Sequence, residues 1–111
     1  MTVLRRDAER EEAPVPTFVS LINWTEKGIA NFKDTPKRAA AFEETLTKHG
    51  AKLKEILWTI GPYDIVSVVE APDDETATAA LLEVGALGNV RTTTLRAFNR
   101  KELEGIIKKV R

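Results

Sequence analysis

The sequence predicts an α+β fold: a ferredoxin-like β-α-β-β-α-β sandwich with a C-terminal helix. Four short stretches are rich in β-branched and aromatic residues, which favour strands. Two longer stretches between them carry apolar residues at helical spacing, and strands and helices alternate in the order of the split β-α-β motif. In the predicted strands, the residues that point to each of the two sheet faces are largely apolar. Since the helices cover only one face, we expect a second copy of the chain to cover the other. The predicted assembly is a dimeric α+β barrel.

The chain divides into a charged N-terminal segment and one folded domain. Its 111 residues suit a single domain. Residues 1–16 hold many charged side chains and include two prolines near their end. This composition is typical of a flexible tail, and an arm packed on a partner subunit is the alternative. Residues 17–111 form the predicted domain.

The first predicted strand and the first long helix are separated by a polar connection. Thr17–Trp24 is the strand, and the connection after it has room for one helical turn. Either Asp34 or Thr35 can cap the long helix. Pro36 suits its first turn, because the missing N–H needs no partner there. Gly50 is expected to end the helix.

The next two predicted strands form a hairpin. Lys52–Thr59 is the second strand, with Leu53 and Leu57 on one face and Ile56 and Trp58 on the other. Gly61-Pro62 supplies the turn. Asp64–Glu70 is the third strand, with apolar residues on both faces.

Capping signals position the remaining helices. Asp73 is a good N-cap for the second long helix, and Val90–Phe98 is the fourth strand. Asn99 and Glu102 have the spacing of a capping box that opens a C-terminal helix. The predicted apolar face of that helix consists of Leu103, Ile106, Ile107 and Val110.

The composition narrows the range of functions. The 17 basic and 17 acidic residues cancel, so the chain lacks the charge typical of proteins that bind nucleic acid or anionic membranes. It has no cysteine, phosphate loop, Rossmann glycine pattern or metal-binding spacing. No apolar stretch is long enough for a membrane span or a signal peptide. We therefore expect a cytoplasmic protein without a metal or cofactor.

Several segments in a fixed order carry a family resemblance. They are Ile22–Thr25, Gly28–Ile29, Lys33–Arg38, Trp58–Val66, Glu70–Asp74 and Gly88–Phe98. In these segments the chain resembles the GYD-domain family, a set of small proteins of unestablished function. The resemblance implies a dimeric α+β barrel, as the strand pattern also does.

A second resemblance rests on fewer residues. Gly61, Tyr63–Ile65 and Gly88–Val90, with an acidic helix start between them, are similar to the effector-binding domain of leucine-responsive transcription regulators. The resemblance implies small-molecule sensing at a subunit interface. The chain has no room for the helix-turn-helix module of those regulators, so DNA binding is not implied.

Candidate ligand-binding residues cluster at the ends of two strands. Asn23, Trp24 and Thr25 end the first strand, where polar and amphipathic side chains often line pockets. Equally, Trp24 can belong to the core and Asn23 can bond the connecting loop. Trp58 ends another strand, so the two tryptophans could wall a ligand pocket; plain core packing is the alternative.

Charged and titratable residues supply the other candidates. Lys37 and Arg38 oppose the helix dipole, so they could bind a carboxylate or phosphate, although a solvated surface is the alternative. Tyr63 and Asp64 follow the turn and are candidates for ligand binding and for acid–base chemistry; otherwise Asp64 bonds the turn backbone. His49, the sole histidine, is a catalytic candidate or a helix C-terminal residue. Haem ligation by His49 is conceivable, because some dimeric α+β barrels bind haem through one histidine.

The sequence leaves two main functions open. The first is an oligomeric small-molecule-binding, sensing or interaction module that associates with itself as a homodimer or larger assembly. The alternative is a cofactor-independent monooxygenase- or isomerase-like enzyme with a pocket between helices and sheet, as found elsewhere among dimeric α+β barrels. The lack of a recognisable acid–base constellation favours the binding module.

Overall fold

A computed structural model describes residues 15–111 of the chain. The prediction for residues 1–16 falls almost entirely outside the described part. The strands are β1 Thr17–Trp24, β2 Lys52–Trp58, β3 Ile65–Glu70 and β4 Val90–Ala97, and the helices are α1 Glu26–Ala30, α2 Thr35–Lys48, α3 Asp74–Ala86 and α4 Arg100–Ile107, with a 3₁₀ turn at Phe32–Asp34. The predicted order of elements is confirmed.

The four strands form one antiparallel sheet in the order β2-β3-β1-β4. Side chains of α2 and α3 pack on one face of this sheet, which we call the helix face. Phe18 and Ile22 of β1 and Ile65 and Val69 of β3 point to the helix face and are buried. The predicted ferredoxin-like α+β sandwich is therefore confirmed.

The core is concentrated at one end of the helix face. Phe18 and Val69 of the sheet contact Leu46 of α2 and Ala77 and Ala80 of α3 within one cluster. Small alanines on α3 let this helix approach the sheet closely. We call this region the filled half of the helix face.

The predicted face assignment within β2 is wrong. The pairing of β2 with β3 shifts register between Leu53 and Glu55, so one extra residue is accommodated there. A bulge of this kind reverses the alternation beyond it. Leu53 consequently packs on the core of the helix face, whereas Leu57 points to the opposite face and is exposed.

The helix starts follow the capping signals of the sequence. The Asp73 carboxylate accepts a hydrogen bond of 2.7 Å from the Thr76 N–H at the start of α3. Asn99 and Glu102 form both hydrogen bonds of a capping box at the start of α4. The C-terminal helix ends at Ile107, so Val110 lies beyond it, contrary to the prediction. Asp34 is the N-cap of α2 but makes no side-chain capping bond.

Candidate ligand site: a cavity between the helices and the sheet

A cavity of about 100 Å³ lies under α2 and α3 at the other end of the helix face. We call this region the hollow half. It is lined by Ile22, Trp24, Thr35, Arg38, Ala39, Ala41, Phe42, Thr45, Ile56, Ile65, Val84, Leu87, Asn89, Val90 and Thr92. The lining residues of α2 extend from Thr35 to Thr45, and those of α3 and the residue after it lie at the C-terminal end of that helix.

The floor of the cavity is apolar and its polar side chains are less deeply buried. On the sheet side Ile22 and Ile65 are each 5% exposed, and on the helix side Phe42 of α2 is 7% exposed. The lining threonines, represented by Thr35 and Thr92, are only partly buried. An apolar hollow with a few polar groups around it has the chemistry of a small-molecule site, and exposed lining residues such as Ala41 and Leu87 leave it partly open.

Trp24 contributes one wall, as the sequence suggested. The indole Nε1 of this residue is buried and has no hydrogen-bond partner among the described residues. The backbone N–H of Trp24 donates a hydrogen bond of 2.9 Å to Oδ2 of Asp64. The carboxylate therefore fixes the end of β1, from which the indole projects.

Asp64 and Tyr63 hold the turn between β2 and β3. The N–H of Asp64 donates to the Ile22 carbonyl and its own carbonyl accepts from the Thr59 N–H, both at 2.9 Å. The Thr59 hydroxyl donates to the carbonyl of Tyr63 at 2.6 Å. Neither Tyr63 nor Asp64 lines the cavity. The Asp64 main chain bonds the turn at Thr59, whereas its carboxylate bonds the Trp24 N–H at the end of β1 and not the turn backbone that the sequence suggested.

Arg38 lines the cavity and also fastens α1 to α2. Its Nη1 donates to the Asn31 carbonyl at 3.1 Å and its Nη2 to the Gly28 carbonyl at 3.0 Å. Carbonyls at the end of a helix lack internal partners and favour a cation. Lys37, the neighbouring candidate, is exposed and does not line the cavity.

The segment around α1 is tied to the loop between α3 and β4. The Thr25 hydroxyl accepts from the Gly28 N–H at 3.1 Å and donates to the Gly88 carbonyl at 2.7 Å. The Lys27 Nζ donates to the Leu87 carbonyl at 3.1 Å. A Cβ atom at Gly28 would lie 2.0 Å from the Asn89 carbonyl oxygen, so only glycine fits at this contact.

The remaining candidates lie apart from the cavity. Asn23 pairs with Arg91 of β4 on the face opposite the helices. The Trp58 Nε1 donates to the Thr35 hydroxyl at 3.0 Å, but Trp58 itself is not part of the lining. His49 lies 3.2 Å from Glu83, between the end of α2 and α3. Of the predicted site residues, the structure brings only Trp24 and Arg38 together in the cavity wall.

Sequence reasoning missed most of the lining residues because they resemble ordinary core. Ile22, Ile65 and Phe42 follow the periodicities expected of any buried strand or helix face. The one signal that could have pointed to a hollow is the run of three alanines from Ala39 to Ala41, since Ala39 and Ala41 line the cavity. Small side chains at positions that face a sheet leave unfilled volume.

Residues 15–111 offer neither a metal-binding cluster nor a membrane-spanning helix. No group of three or more histidine, aspartate or glutamate side chains is placed to hold a metal ion there. Within the same residues, no helix has the length and apolar character needed to cross a membrane.

Fold and cavity together define a small ferredoxin-like α+β domain with an apolar site under its helices. The chain belongs to the GYD-domain family, whose model matches residues 18–107. The family resemblance of the sequence is thus confirmed.

Individual relatives agree with this assignment. A protein of Thermus thermophilus, named glutamine synthetase and cystathionine beta-lyase binding protein, is 34% identical over 85 residues, which span 76% of this chain and 90% of the relative. A crystal structure of a Thermus thermophilus protein shares 27% identity and a TM-score of 0.50, covering 76% of this chain and 94% of that one.

The similarity to leucine-responsive regulators extends to the fold. A leucine response regulatory protein of Mycobacterium tuberculosis is 17% identical with a TM-score of 0.58, and the match covers 88% of this chain and 69% of that one. This likeness confirms the second resemblance as one of fold.

Proposed function

We propose that this chain is an oligomeric module that binds a small molecule in the cavity of the hollow half. The observation that carries the proposal is an apolar cavity of about 100 Å³ at one end of a helix face whose other end is packed. Unfilled apolar volume costs stability, because the surrounding atoms lose packing contacts. A bound molecule would restore those contacts and would stabilise the folded state.

Binding in this cavity can be tested with variants of two neighbouring alanines. Ala39 lines the cavity, and Ala40 is exposed on the same helix and lies outside the lining. A ligand-observed NMR screen of small organic compounds should yield hits that Ala39→Leu abolishes and Ala40→Leu retains. Hits that are insensitive to Ala39→Leu would place binding elsewhere and overturn the proposal.

The proposed oligomer is a homodimer that buries the sheet face opposite the helices. Two rows of apolar side chains cross this open face. The first consists of Leu57, Val66 and Leu21, and the second of Val68, Val19 and Leu95. Leu57 is 53% exposed and Leu95 is 49% exposed. Sheet-to-sheet packing of two copies would remove both rows from water and complete an α+β barrel.

Analytical ultracentrifugation tests the dimer. The wild-type chain should sediment with twice its mass of 12.4 kDa. Leu21→Glu should yield a folded monomer, because each copy would bury an unpaired carboxylate at the interface. Ala40→Glu, on the helix surface, is the matched control and should remain dimeric. A wild-type monomer, or a Leu21→Glu dimer, would contradict this part of the proposal.

A protein-binding function is the second candidate, and one relative favours it. The Thermus relative is named for binding glutamine synthetase and cystathionine beta-lyase. In this chain the turn between β2 and β3 presents a fully exposed Ile60 beside Trp58, which is 44% exposed. Trp58 is hydrogen-bonded to Thr35. Phe32, three residues before Thr35 in the chain, is 53% exposed. Exposed aromatic and aliphatic side chains of this kind are typical anchors of protein interfaces.

Biolayer interferometry with purified glutamine synthetase and cystathionine beta-lyase from the same cells tests the second candidate. Ile60→Ser should weaken binding at least about tenfold if this turn is the anchor. Leu82→Ser is the matched control, because Leu82 is 69% exposed and lies on α3. Absence of binding to both enzymes, or equal effects of the two variants, would remove this candidate.

The proposal does not extend to catalysis. The enzyme alternative requires acid–base groups in the pocket. Tyr63, Asp64 and His49 do not line the cavity, and Arg38 is the only ionisable side chain among the described residues that do. A monooxygenase- or isomerase-like activity remains a prediction of the sequence.

A further inference from the structure

We propose that the ligand of the hollow half is a monocarboxylate with an apolar body, whose carboxylate accepts hydrogen bonds from Arg38 and from the indole N–H of Trp24. The inference rests on the proposed function, because it names the class of molecule that the same cavity would bind. Three features of the lining lead to it: the unused donors and charge of Arg38, the unpartnered indole of Trp24 and the apolar surface beside them.

Arg38 has hydrogen-bond donors to offer a ligand. Its side chain lines the cavity and is only partly buried. A guanidinium carries five N–H donors, and Arg38 uses one on each terminal nitrogen, for the carbonyls of Asn31 and Gly28. The Nε–H and one further N–H on each terminal nitrogen have no partner among the described residues. A ligand can therefore bond Arg38 while the bonds between α1 and α2 stay intact.

The positive charge of Arg38 is not neutralised by a described residue. No aspartate or glutamate is among the described lining residues, and Arg38 makes no ion pair within residues 15–111. Asp64, whose carboxylate bonds the Trp24 main-chain N–H, lies outside the lining. Opposite charges beside an apolar surface attract more strongly than in water, and a carboxylate matches the planar guanidinium in shape and charge. Because Arg38 is the single cation among the described lining residues, a carboxylate fits better than a doubly charged phosphate.

The indole of Trp24 supplies a second donor in the same wall. Its Nε1 is buried and has no hydrogen-bond partner among the described residues. An indole N–H can only donate, so an acceptor is what it lacks. The Nε1 of Trp58, by contrast, donates to the Thr35 hydroxyl at 3.0 Å. An unpaired buried donor destabilises the folded state, and an oxygen of the ligand that bonds Nε1 would remove that cost.

The rest of the lining favours an apolar body on the same molecule. Ile22 and Ile65 on the sheet side and Phe42 on the helix side carry no hydrogen-bonding side-chain atoms. Contact with them removes apolar surface of both the ligand and the protein from water. The exposed Ala41 and Leu87 leave the hollow partly open, so the apolar body is free to extend beyond it. The lining thus sets the polarity of the ligand and not its length.

Pairs of probes that differ in charge but not in shape test the inference. Isovalerate, cyclohexanecarboxylate and phenylacetate are each compared with the corresponding primary amide by NMR titration of isotope-labelled protein at neutral pH. Each amide keeps the shape and the carbonyl acceptor of its carboxylate but has no charge. At least one carboxylate should move the Trp24 indole N–H resonance, which is identified by its loss in Trp24→Phe. That carboxylate should bind at least about tenfold more tightly than its amide.

Substitution of Arg38 separates its contact with the ligand from its support of α1. A purely structural arginine would affect carboxylate and amide alike, so the ratio of the two affinities is the informative measurement. Arg38→Met should bring this ratio close to one, and Arg38→Lys, which keeps the charge without the fork of donors, should retain part of it. Lys37→Met is the matched control: Lys37 is exposed and lies outside the lining, so the ratio should not change.

Three results would overturn the inference, and none of them decides the proposed function. Amides that bind as tightly as their carboxylates, with Ala39→Leu abolishing both, would refute the charged class and leave the cavity as a binding site. A Trp24 indole resonance that no carboxylate moves would refute the assigned contact. A preference for carboxylate that survives Arg38→Met would refute the role of Arg38. The proposed function is tested separately, by the compound screen with Ala39→Leu and Ala40→Leu.

Discussion

The two halves of the helix face are built from the same elements but are packed differently. In the filled half, Leu46 is 1% exposed and lies among Phe18, Val69 and the alanines of α3. In the hollow half, β1 and β3 contribute Ile22 and Ile65 to the floor of a cavity. The same strands and helices therefore contribute both to the packed core and to the candidate site.

The difference lies in side-chain size and in what holds the helices. In the filled half, the small residues lie on α3 and bring that helix close to the sheet. In the hollow half, Ala39 lies on α2, whose first turns are held by the Arg38 bonds to the α1 segment. Because the Arg38 bonds hold the start of α2 in place, the small Ala39 side chain does not fill the space below this helix, and the volume stays open.

The largest expected effect comes from removing packing in the filled half. Leu46→Ala should lower the free energy of unfolding by about 2–5 kcal/mol, because the residue is enclosed on all sides. Ile56→Ala in the hollow half should cost clearly less, since Ile56 already borders the cavity and is only partly buried. Urea denaturation of both variants measures the difference. Equal costs would contradict the distinction between the two halves.

The contact that holds the α1 segment should be nearly as sensitive. Gly28→Ala places a Cβ 2.0 Å from the Asn89 carbonyl oxygen, so the segment must shift away from the α3–β4 loop. We expect a loss of about 1–3 kcal/mol, as for other overpacked sites. Gly85→Ala is the control, because a Cβ there meets nothing within 4 Å; in a helix it should stabilise by up to about 1 kcal/mol. A harmless Gly28→Ala would show that the segment is not held rigidly.

Filling the cavity should change stability little. Ala39→Leu adds apolar atoms to unfilled volume, so its effect on the free energy of unfolding should lie within about 1 kcal/mol, with stabilisation favoured. Thermal denaturation of the ligand-free protein measures it. A loss of several kcal/mol would mean that the hollow half is already packed in solution.

A row of hydroxyl side chains crosses the sheet between the two halves and offers a smaller test. Ser20 bonds Thr94 at 2.8 Å, whereas the buried Ser67 hydroxyl has no partner among the described residues. Ser20→Ala should cost about 1 kcal/mol. Ser67→Ala should be neutral or stabilising, since it removes an unsatisfied group. The reverse order in denaturation experiments would show that Ser67 finds a partner in solution.

The smallest effect concerns pH and the start of α3. Hydrogen bonds from Thr76 lower the pKa of the Asp73 carboxyl below its ordinary value of 3.8. The stabilisation from this ionised cap is complete above the unfolded pKa and is lost as pH falls through the folded one. Asp73→Asn keeps a capping oxygen without the titration. The stability of the wild type relative to Asp73→Asn should therefore fall below about pH 4, and a constant difference would contradict the assignment.

The fold could be predicted because its signals are local. The cap at Asp73 and the capping box at Asn99 depend on neighbours within one turn. The apolar alternation of β1 is similarly read from adjacent residues. The bulge before Glu55 was missed because the alternation was carried from Leu53 to Leu57 across two consecutive polar residues, Lys54 and Glu55.

The candidate site was predicted only in part because a cavity is not a local property. Trp24 was identified from its place at the end of β1, and Arg38 from its place near the start of α2. Whether these two residues line one cavity with Ile65 and Val84 depends on how the helices pack on the sheet. The close contact of Gly28 with Asn89, which also lines the cavity, is likewise not revealed by any spacing in the sequence.

Native mass spectrometry of protein purified gently from its own cells tests the central claim most directly. Wild type, Ala39→Leu and Ala40→Leu are compared side by side. The account predicts an extra mass in stoichiometric amount on the wild type and on Ala40→Leu, and none on Ala39→Leu. No extra mass on any of the three proteins, or the same extra mass on all three, would contradict the claim that the hollow half is a ligand site.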